Sequence, residues 1–314
     1  TSCKLGREWV ESDFSKIKVA KRMKISGLIL RYIVPMLSSP IATLSPEDFK
    51  RRFGVHRSTF EKMVEALKPS WRIKPKPGVK PKLGLSDRVL VALEYWREYR
   101  TYFHIGSSWG VSESTVCRIV HWVEEELMRS GCFRLPGKKQ LVRGFGRPDV
   151  TVIDVTETAI ERPQRGQKQF YSGKKKRHTL KCQVIINQRT KEVICLFFGK
   201  GSQHDFKLFQ ASGVHFHPET KSLQDKGYQG IQKIHANSRL PLKKPKGGSL
   251  TKDQKASNRI LARERICIEH INRRFKIFKI LAERYRNRRR RYGLRCNLIA
   301  ALYNYELNQV AAQI

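Results

Sequence analysis

The segment Thr151-Val-Ile-Asp-Val-Thr156 has the apolar, β-branched composition of a buried strand, yet a carboxylate, Asp154, sits in its middle. Burying an unpaired carboxylate is costly. A chain with this segment must therefore fold around something that takes up the charge. Two more carboxylates follow in patterned surroundings. Asp225 lies in Leu223-Gln-Asp-Lys-Gly-Tyr-Gln-Gly230, and Glu269 in Arg265-Ile-Cys-Ile-Glu-His-Ile-Asn-Arg-Arg-Phe-Lys276. The rest of the chain is overwhelmingly basic, with 64 Lys and Arg against 27 Asp and Glu. A divalent metal acting on nucleic acid accounts for acids placed in this way.

A formal charge of +37 over 314 residues calls for a polyanionic partner. Each phosphate that such a protein neutralises adds roughly −0.9 to the salt slope of duplex binding. The longest apolar stretch, Gly27 to Leu37, carries Arg31 and falls short of the roughly 20 residues of a membrane span. Nothing near the N-terminus reads as a signal peptide. The hydrophobic share, 39%, is enough for a packed core, which excludes a disordered basic tail. The seven cysteines form no Cys-x-x-Cys pair and are expected to be reduced and mostly buried, which argues against a zinc site. The chain opens on Thr1, its first methionine is Met23, and residues 1–22 are expected to be an extension with no assigned role.

Two Pro- and Gly-rich basic stretches, Lys68 to Gly84 and Leu135 to Arg147, punctuate the sequence. They divide it into an N-terminal helical region with its linker (23–84), a second helical region with its linker (85–147) and a C-terminal region (148–314). The two helical regions echo each other. Phe53-Gly-Val-His-Arg-Ser-Thr-Phe60 resembles Trp109-Gly-Val-Ser-Glu-Ser-Thr-Val116 in its order of aromatic, glycine, valine, polar and hydroxyl residues. In the second copy Gly110 permits a tight turn and Ser112 can cap the helix that follows. Val116, Ile119, Val120, Val123 and Leu127 then share one face at helical spacing. Glu113, Ser114, Thr115, Arg118 and His121 are left toward solvent. This is helix-turn-helix patterning, with Ser114, Thr115, Arg118 and His121 as candidate DNA contacts. An ordinary helical hairpin is the plainer alternative.

The C-terminal region changes period. Val150 to Thr156, Leu180 to Ile186 and Glu192 to Phe198 read as strands, the last two joined by the turn Asn187-Gln-Arg-Thr190. A short helix fits Asp205 to Gln210, and a strand ends at Leu223-Gln-Asp225. Another possible strand is Ser238 to Lys243. Helices follow over about 252–281 and 293–309. Three strands, a helix, a strand and then helices is the order of an RNase H-like α/β core, a mixed sheet with flanking helices.

In that order Asp154 lies on the first strand, Asp225 just past the fourth and Glu269 on a late helix. Three carboxylates in one cluster raise one another's pKa. Two Mg²⁺ ions about 3.5–4 Å apart remove the conflict and supply in-line displacement chemistry at phosphorus. All-oxygen ligands suit Mg²⁺ or Mn²⁺ rather than zinc. Each acid also has a plainer reading. Asp154 can pair with a basic group, Asp225 can be a turn residue before Gly227, and Glu269 can be an i,i+4 partner of Arg265 or Arg273. Glu157 and Glu161 compete with Asp154, and Asp205 competes with Asp225.

Five segments in order carry a resemblance: Asp154-Val-Thr-Glu-Thr-Ala-Ile-Glu-Arg-Pro163, Tyr171-Ser-Gly-Lys-Lys-Lys-Arg-His-Thr-Leu-Lys181, Gly201-Ser-Gln-His-Asp205, Asp225-Lys-Gly-Tyr-Gln-Gly230 and residues 258–281. Together they resemble the DDE transposases of the bacterial insertion-sequence-five superfamily (ISL-two-like branch), related to PIF/Harbinger transposases. The resemblance covers essentially all of residues 150–281, and the helical region before it resembles that family's helix-turn-helix domain. It implies an RNase H-like catalytic core preceded by an all-α DNA-binding region. It implies Asp154, Asp225 and Glu269 as catalytic and metal-binding residues, holding two Mg²⁺ ions for which Mn²⁺ substitutes. Arg265 and Lys276 fit the late-helix signature and would hold the scissile phosphate or the flanking strand. The tyrosine of that signature would fall at position 262, which is Ala262 here.

The implied partners are transposon ends and target DNA, with a homodimer or higher oligomer bringing two ends together in the bacterial cytoplasm. The activity expected is binding of terminal inverted repeats, metal-dependent cleavage and joining of 3′-hydroxyl ends to target DNA. A catalytically inactive or co-opted DNA-binding descendant is the alternative. The basic runs fit either reading as phosphate contacts: Lys174, Lys175, Lys176 and Arg177, and then Arg288, Arg289, Arg290 and Arg291. Residues 270–295 carry eleven Lys and Arg against one Glu, so no acidic run is available to neutralise them.

Overall fold

A computed structural model describes residues 41, 43–71, 81–245 and 247–311. The chain divides into two compact units, Thr1–Thr43 and Leu44–Ile314, and the elements named below all belong to the second. The expected N-terminal extension (1–22), the helical reading of residues 24–40 and most of the first linker lie outside the described residues.

The helical part comprises α1 (Pro46–Phe53), α2 (Arg57–Leu67), α3 (Leu85–Glu98), α4 (Tyr102–Trp109) and α5 (Glu113–Ser130). The sequence echo is a structural one. Gly54 and Gly110 both end a helix in the left-handed conformation, at φ 81° and 65°, and a second helix starts three residues later. Ser112 caps α5 by accepting from the Thr115 amide at 3.3 Å. Val116, Ile119, Val120, Val123 and Leu127 are buried as the spacing predicts. Close packing of α4 on the start of α5 requires Gly106, where a Cβ would stand 2.5 Å from the Val111 carbonyl oxygen.

The α/β part is built on β1 (Val150–Ala159), α6 (Gln167–Phe170), β2 (Tyr171–Ser172), β3 (Arg177–Asn187), β4 (Val193–Lys200), α7 (Asp205–Ser212), β5 (Lys221–Leu223) and β6 (Ser238–Arg239). The helices α8 (Lys252–Lys276), α9 (Lys279–Ala282) and α10 (Tyr292–Ala311) follow. β3 pairs antiparallel with β1, β2 and β4, while β5 pairs parallel with both β1 and β6. The main sheet therefore runs β4-β3-β1-β5-β6, with the short β2 also on β3. The predicted strands, turn and helices are present with shifted ends. The turn forms because the Asn187 side chain accepts from the amides of Arg189 and Thr190. The helix expected over 252–281 breaks at Ile277 into α8 and α9. One side of the sheet packs Ile153, Ile185 and Ile194 against Phe209 of α7 and Tyr228. On the other side Thr158 donates to the Leu281 carbonyl at 3.0 Å and accepts from the Tyr292 hydroxyl at 2.9 Å. The six described cysteines are free, and four of them are buried.

The helical and α/β parts share an interior. Glu124 of α5 and Arg295 of α10 are both fully buried and meet at 2.6 Å. Trp96 donates to the same carboxylate at 3.0 Å, and Arg295 also donates to the Tyr285 hydroxyl at 2.8 Å. Burial works against the guanidinium charge, but Glu124 and its tyrosine neighbours hold the Arg295 pKa above its ordinary value. Removing one partner of such a pair strands the other charge. Glu124→Ala is expected to destabilise the protein by about 3–5 kcal/mol in urea unfolding, with circular dichroism and tryptophan fluorescence reporting one shared transition.

Candidate active site

Asp154 and Asp225 are brought together by the strand register. Val150, Thr151 and Val152 of β1 lie beside Lys221, Ser222 and Leu223 of β5. Continuing this register by two residues sets Asp225 opposite Asp154, on the same face, because side chains repeat every second residue. β5 stops at Leu223, and Asp225 caps a short 3-10 turn (Lys226–Tyr228), its Oδ1 accepting from the Gly227 amide at 2.8 Å. Asp225 is thus the turn residue of the plain reading and a neighbour of Asp154 at once.

Past Leu223 no strand among the described residues covers that side of β1, and Asp205, at the start of α7, reaches the same place. A Cβ on Gly227 would stand 2.8 Å from Asp205 Oδ2 and 3.0 Å from Asp225 Oδ1. Any larger residue would require the Asp205 carboxylate to move. Asp205 is held by Lys181 at 2.7 Å. Glu157 is instead the acceptor for Thr179, at 2.8 Å.

The helix α8 lies over the acids. Thr251 and Gln254 form a reciprocal capping box at its start. Its inner face buries Leu261, Ile268, Ile271 and Phe275, and Glu264 reaches Lys221 at the start of β5 at 3.1 Å. From this face Arg265 Nη2 stands 3.9 Å from Asp154 Oδ1, and Asn272 Nδ2 donates to Asp154 Oδ2 at 3.0 Å. Glu269 lies between Arg265 and Asn272 along the helix but is exposed. It makes no ion pair with Arg265 or Arg273 among the described residues. Asn272 is a site residue that the sequence reading missed. Its signal was the helical repeat 261, 265, 268, 272, 275.

Burial pushes the Asp154 carboxyl up to about 6; Arg265 opposes the shift, and Asp225 and then Asp205 add to it. Among the described residues no three His, Cys, Asp or Glu side chains converge closely enough to hold a metal ion. The donor set nevertheless fits a hard divalent cation. It consists of carboxylate oxygens together with Asn272 Oδ1, which is buried without a hydrogen-bond partner among the described residues.

The candidate DNA contacts divide into outward and inward groups. Glu113, Ser114 and Arg118 at the start of α5 are exposed, whereas Thr115 and His121 are half-buried. His121 departs from the solvent-facing expectation because it packs near Arg291 and Glu124. Burial is the main cause that lowers its pKa. The matching end of α2 is closed, since Glu306 of α10 accepts from the His56 amide at 2.6 Å and the Thr59 hydroxyl at 3.1 Å. Lys174, Lys175, Lys176 and Arg177 are exposed between β2 and β3, and Lys276 is exposed at the end of α8. Arg265 instead turns inward to Asp154.

The run 288–291 is not wholly a solvated face. Arg288 is exposed, and Arg289 stacks 4.6 Å above Phe170. The Arg290 carbonyl accepts from Tyr285. Arg291 corrects the expectation of an unneutralised run, because it pairs with Glu124 at 3.5 Å and with Glu125. These acids come from α5, far away in sequence. Arg288 and Arg289, with Arg162 and Arg165, line a hollow of about 380 Å³ just beyond β1.

Residues 153–304 match the family model described as DDE superfamily endonuclease, and residues 81–133 match the helix-turn-helix of DDE superfamily endonuclease. The chain is 55% identical over 264 residues to a protein of Microchaete diplosiphon described as "Probable transposase for insertion sequence element IS702". That alignment spans 84% of this chain and 96% of the relative. No solved structure matches the chain.

The raised Asp154 pKa sets the pH dependence of the metal-free protein. The folded state holds this proton up to about pH 6, whereas the unfolded state releases it near the ordinary aspartate value of 3.8. Stability contributed by the protonated form is therefore lost as pH rises between these values. In EDTA, Asp154→Asn is expected to be more stable than the wild type at pH 7.5, by about 1–3 kcal/mol. The gain should shrink toward pH 4 in thermal melts. An equal gain at both pH values would contradict the assignment.

Proposed function

Because the chain belongs to the DDE superfamily endonucleases and is a homologue of an insertion-sequence transposase, we propose that it binds the terminal inverted repeats of its own element, cleaves there with two divalent metal ions and joins the 3′-hydroxyl ends to target DNA. The observation that carries this reading is the convergence of Asp154 and Asp225 through the β1–β5 register, with α8 packed above them. The sheet order and directions, β4-β3-β1-β5-β6 with β5 and β6 parallel to β1, support an RNase H-like core. The late-helix residues Arg265, Glu269 and Lys276 support membership of the insertion-sequence-five superfamily.

Asp154, Asp225 and Glu269 would hold Mg²⁺ or Mn²⁺, with Asp205 close by. Bound there, divalent metal supplies activation of water or a 3′-hydroxyl and stabilisation of the leaving oxygen. Glu269 is exposed one turn beyond Arg265, and a bound divalent cation would offset its repulsion from the other acids. Arg265, now beside Asp154, is placed to take a scissile phosphate oxygen once that carboxylate has a metal partner. Lys276 and the exposed residues Lys174 to Arg177 would contact the phosphates of flanking DNA. The open end of α5, with Ser114 and Arg118 outermost, is the part suited to a DNA groove. Processing two ends together requires at least a homodimer on DNA.

Supercoiled plasmid bearing the element's ends should be nicked by the wild type in Mg²⁺ or Mn²⁺ and not by Asp225→Asn. Retention of end binding with no cutting by either protein would instead leave a DNA-binding descendant without catalysis. Arg118→Ala is expected to weaken binding to the ends and to reduce the salt slope by about 1. An unchanged slope in gel-shift titrations would remove α5 from the phosphate-contacting surface.

A further inference from the structure

Asn272 is 8% exposed and makes a one-sided contact. Its Nδ2 donates to Asp154, while its Oδ1 is buried with no hydrogen-bond partner among the described residues. A primary amide buried against a carboxylate can satisfy it only through nitrogen, which leaves the oxygen over. Leaving that oxygen unpaired is costly, and an apolar side chain of similar size would avoid the cost. A divalent cation is a partner that an Asp154 oxygen and an amide oxygen can share as ligands. Hard divalent cations regularly take Asn carbonyl oxygens among their ligands.

We propose that Asn272 supplies a neutral oxygen ligand to the divalent cation held by Asp154 and Asp225. The proposal rests on the reading of these acids as a metal site. It gives α8 a second metal-facing position three residues beyond Glu269, on the buried side of the helix. A neutral ligand suits this place. Asp154, Asp225 and Asp205 already crowd one another, and another carboxylate would add to their repulsion in the metal-free protein. Arg265 occupies the other side of Asp154 at 3.9 Å, so the metal-free site is held together by one cation and one amide from α8.

The test is a titration of Mn²⁺ into the full chain without DNA, with free Mn²⁺ followed by electron paramagnetic resonance. Wild type, Asn272→Ala, Asn272→Asp and Asp154→Asn are compared, and thermal melts in EDTA establish that each is folded. Asn272→Ala is expected to weaken Mn²⁺ binding on the order of 10-fold or more. Asn272→Asp, which keeps an oxygen ligand but cannot donate to an ionised Asp154, should bind Mn²⁺ at least as tightly as the wild type. Affinity within twofold of wild type for Asn272→Ala would overturn the inference. So would equal weakness of the Ala and Asp variants, which would make Asn272 only a donor that orients Asp154. If the wild type binds no Mn²⁺, or Asp154→Asn binds it equally well, the metal reading itself fails and the inference falls with it.

Discussion

Three residues of parallel pairing, Val150 to Val152 beside Lys221 to Leu223, set the geometry around Asp154. The register makes neighbours of two acids that lie 71 residues apart in sequence. Because β5 is so short, the sheet opens past Leu223, and groups from both of its faces meet around Asp154. Asp205 arrives from the α7 side, and Arg265 and Asn272 arrive from α8. A longer β5 would cover this edge of β1 and keep them apart. Gly227 is complementary to this, since a side chain there would crowd Asp225 and require Asp205 to shift.

The same α/β framework holds the DNA-binding helices. Glu124 and Arg295 join α5 to α10 inside the protein, and the strap before α10 is fastened to α3. Arg286 stacks 4.1 Å above the Tyr99 ring, and Asn287 bonds to Tyr95 and Tyr99. The exposed start of α5 is thereby held in a fixed relation to the acids. Part of the arginine-rich run is used for this internal fastening, and what remains exposed is available to phosphate.

Much of this was legible in the sequence. β-branched runs give strands and a 3.6-residue repeat gives helices, so β1, β3, β4 and the hydrophobic face of α5 could be read directly. The motif around Asp154 was legible as an acid in the middle of an apolar run, and that around Asp225 as an acid between such a run and a turn. What could not be read depends on partners distant in sequence. Arg291 looked like a free phosphate contact until α5 brought Glu124 and Glu125 to it. His121 looked exposed until the same contact covered it. Asn272 shares the buried repeat of a basic helix, but its place beside Asp154 depends on the docking of α8 on β1. The break between α8 and α9 at Ile277 carries no proline or glycine to announce it.

The central claim is that Asp154 and Asp225 hold divalent metal against the scissile phosphate. Sulfur substitution at that phosphate tests it directly, because sulfur accepts Mn²⁺ more readily than Mg²⁺. With one non-bridging oxygen at the cleavage position replaced by sulfur, end cleavage should fall sharply in Mg²⁺ and recover in Mn²⁺. Cleavage that persists in EDTA, or that is equally indifferent to sulfur in both metals, would contradict it.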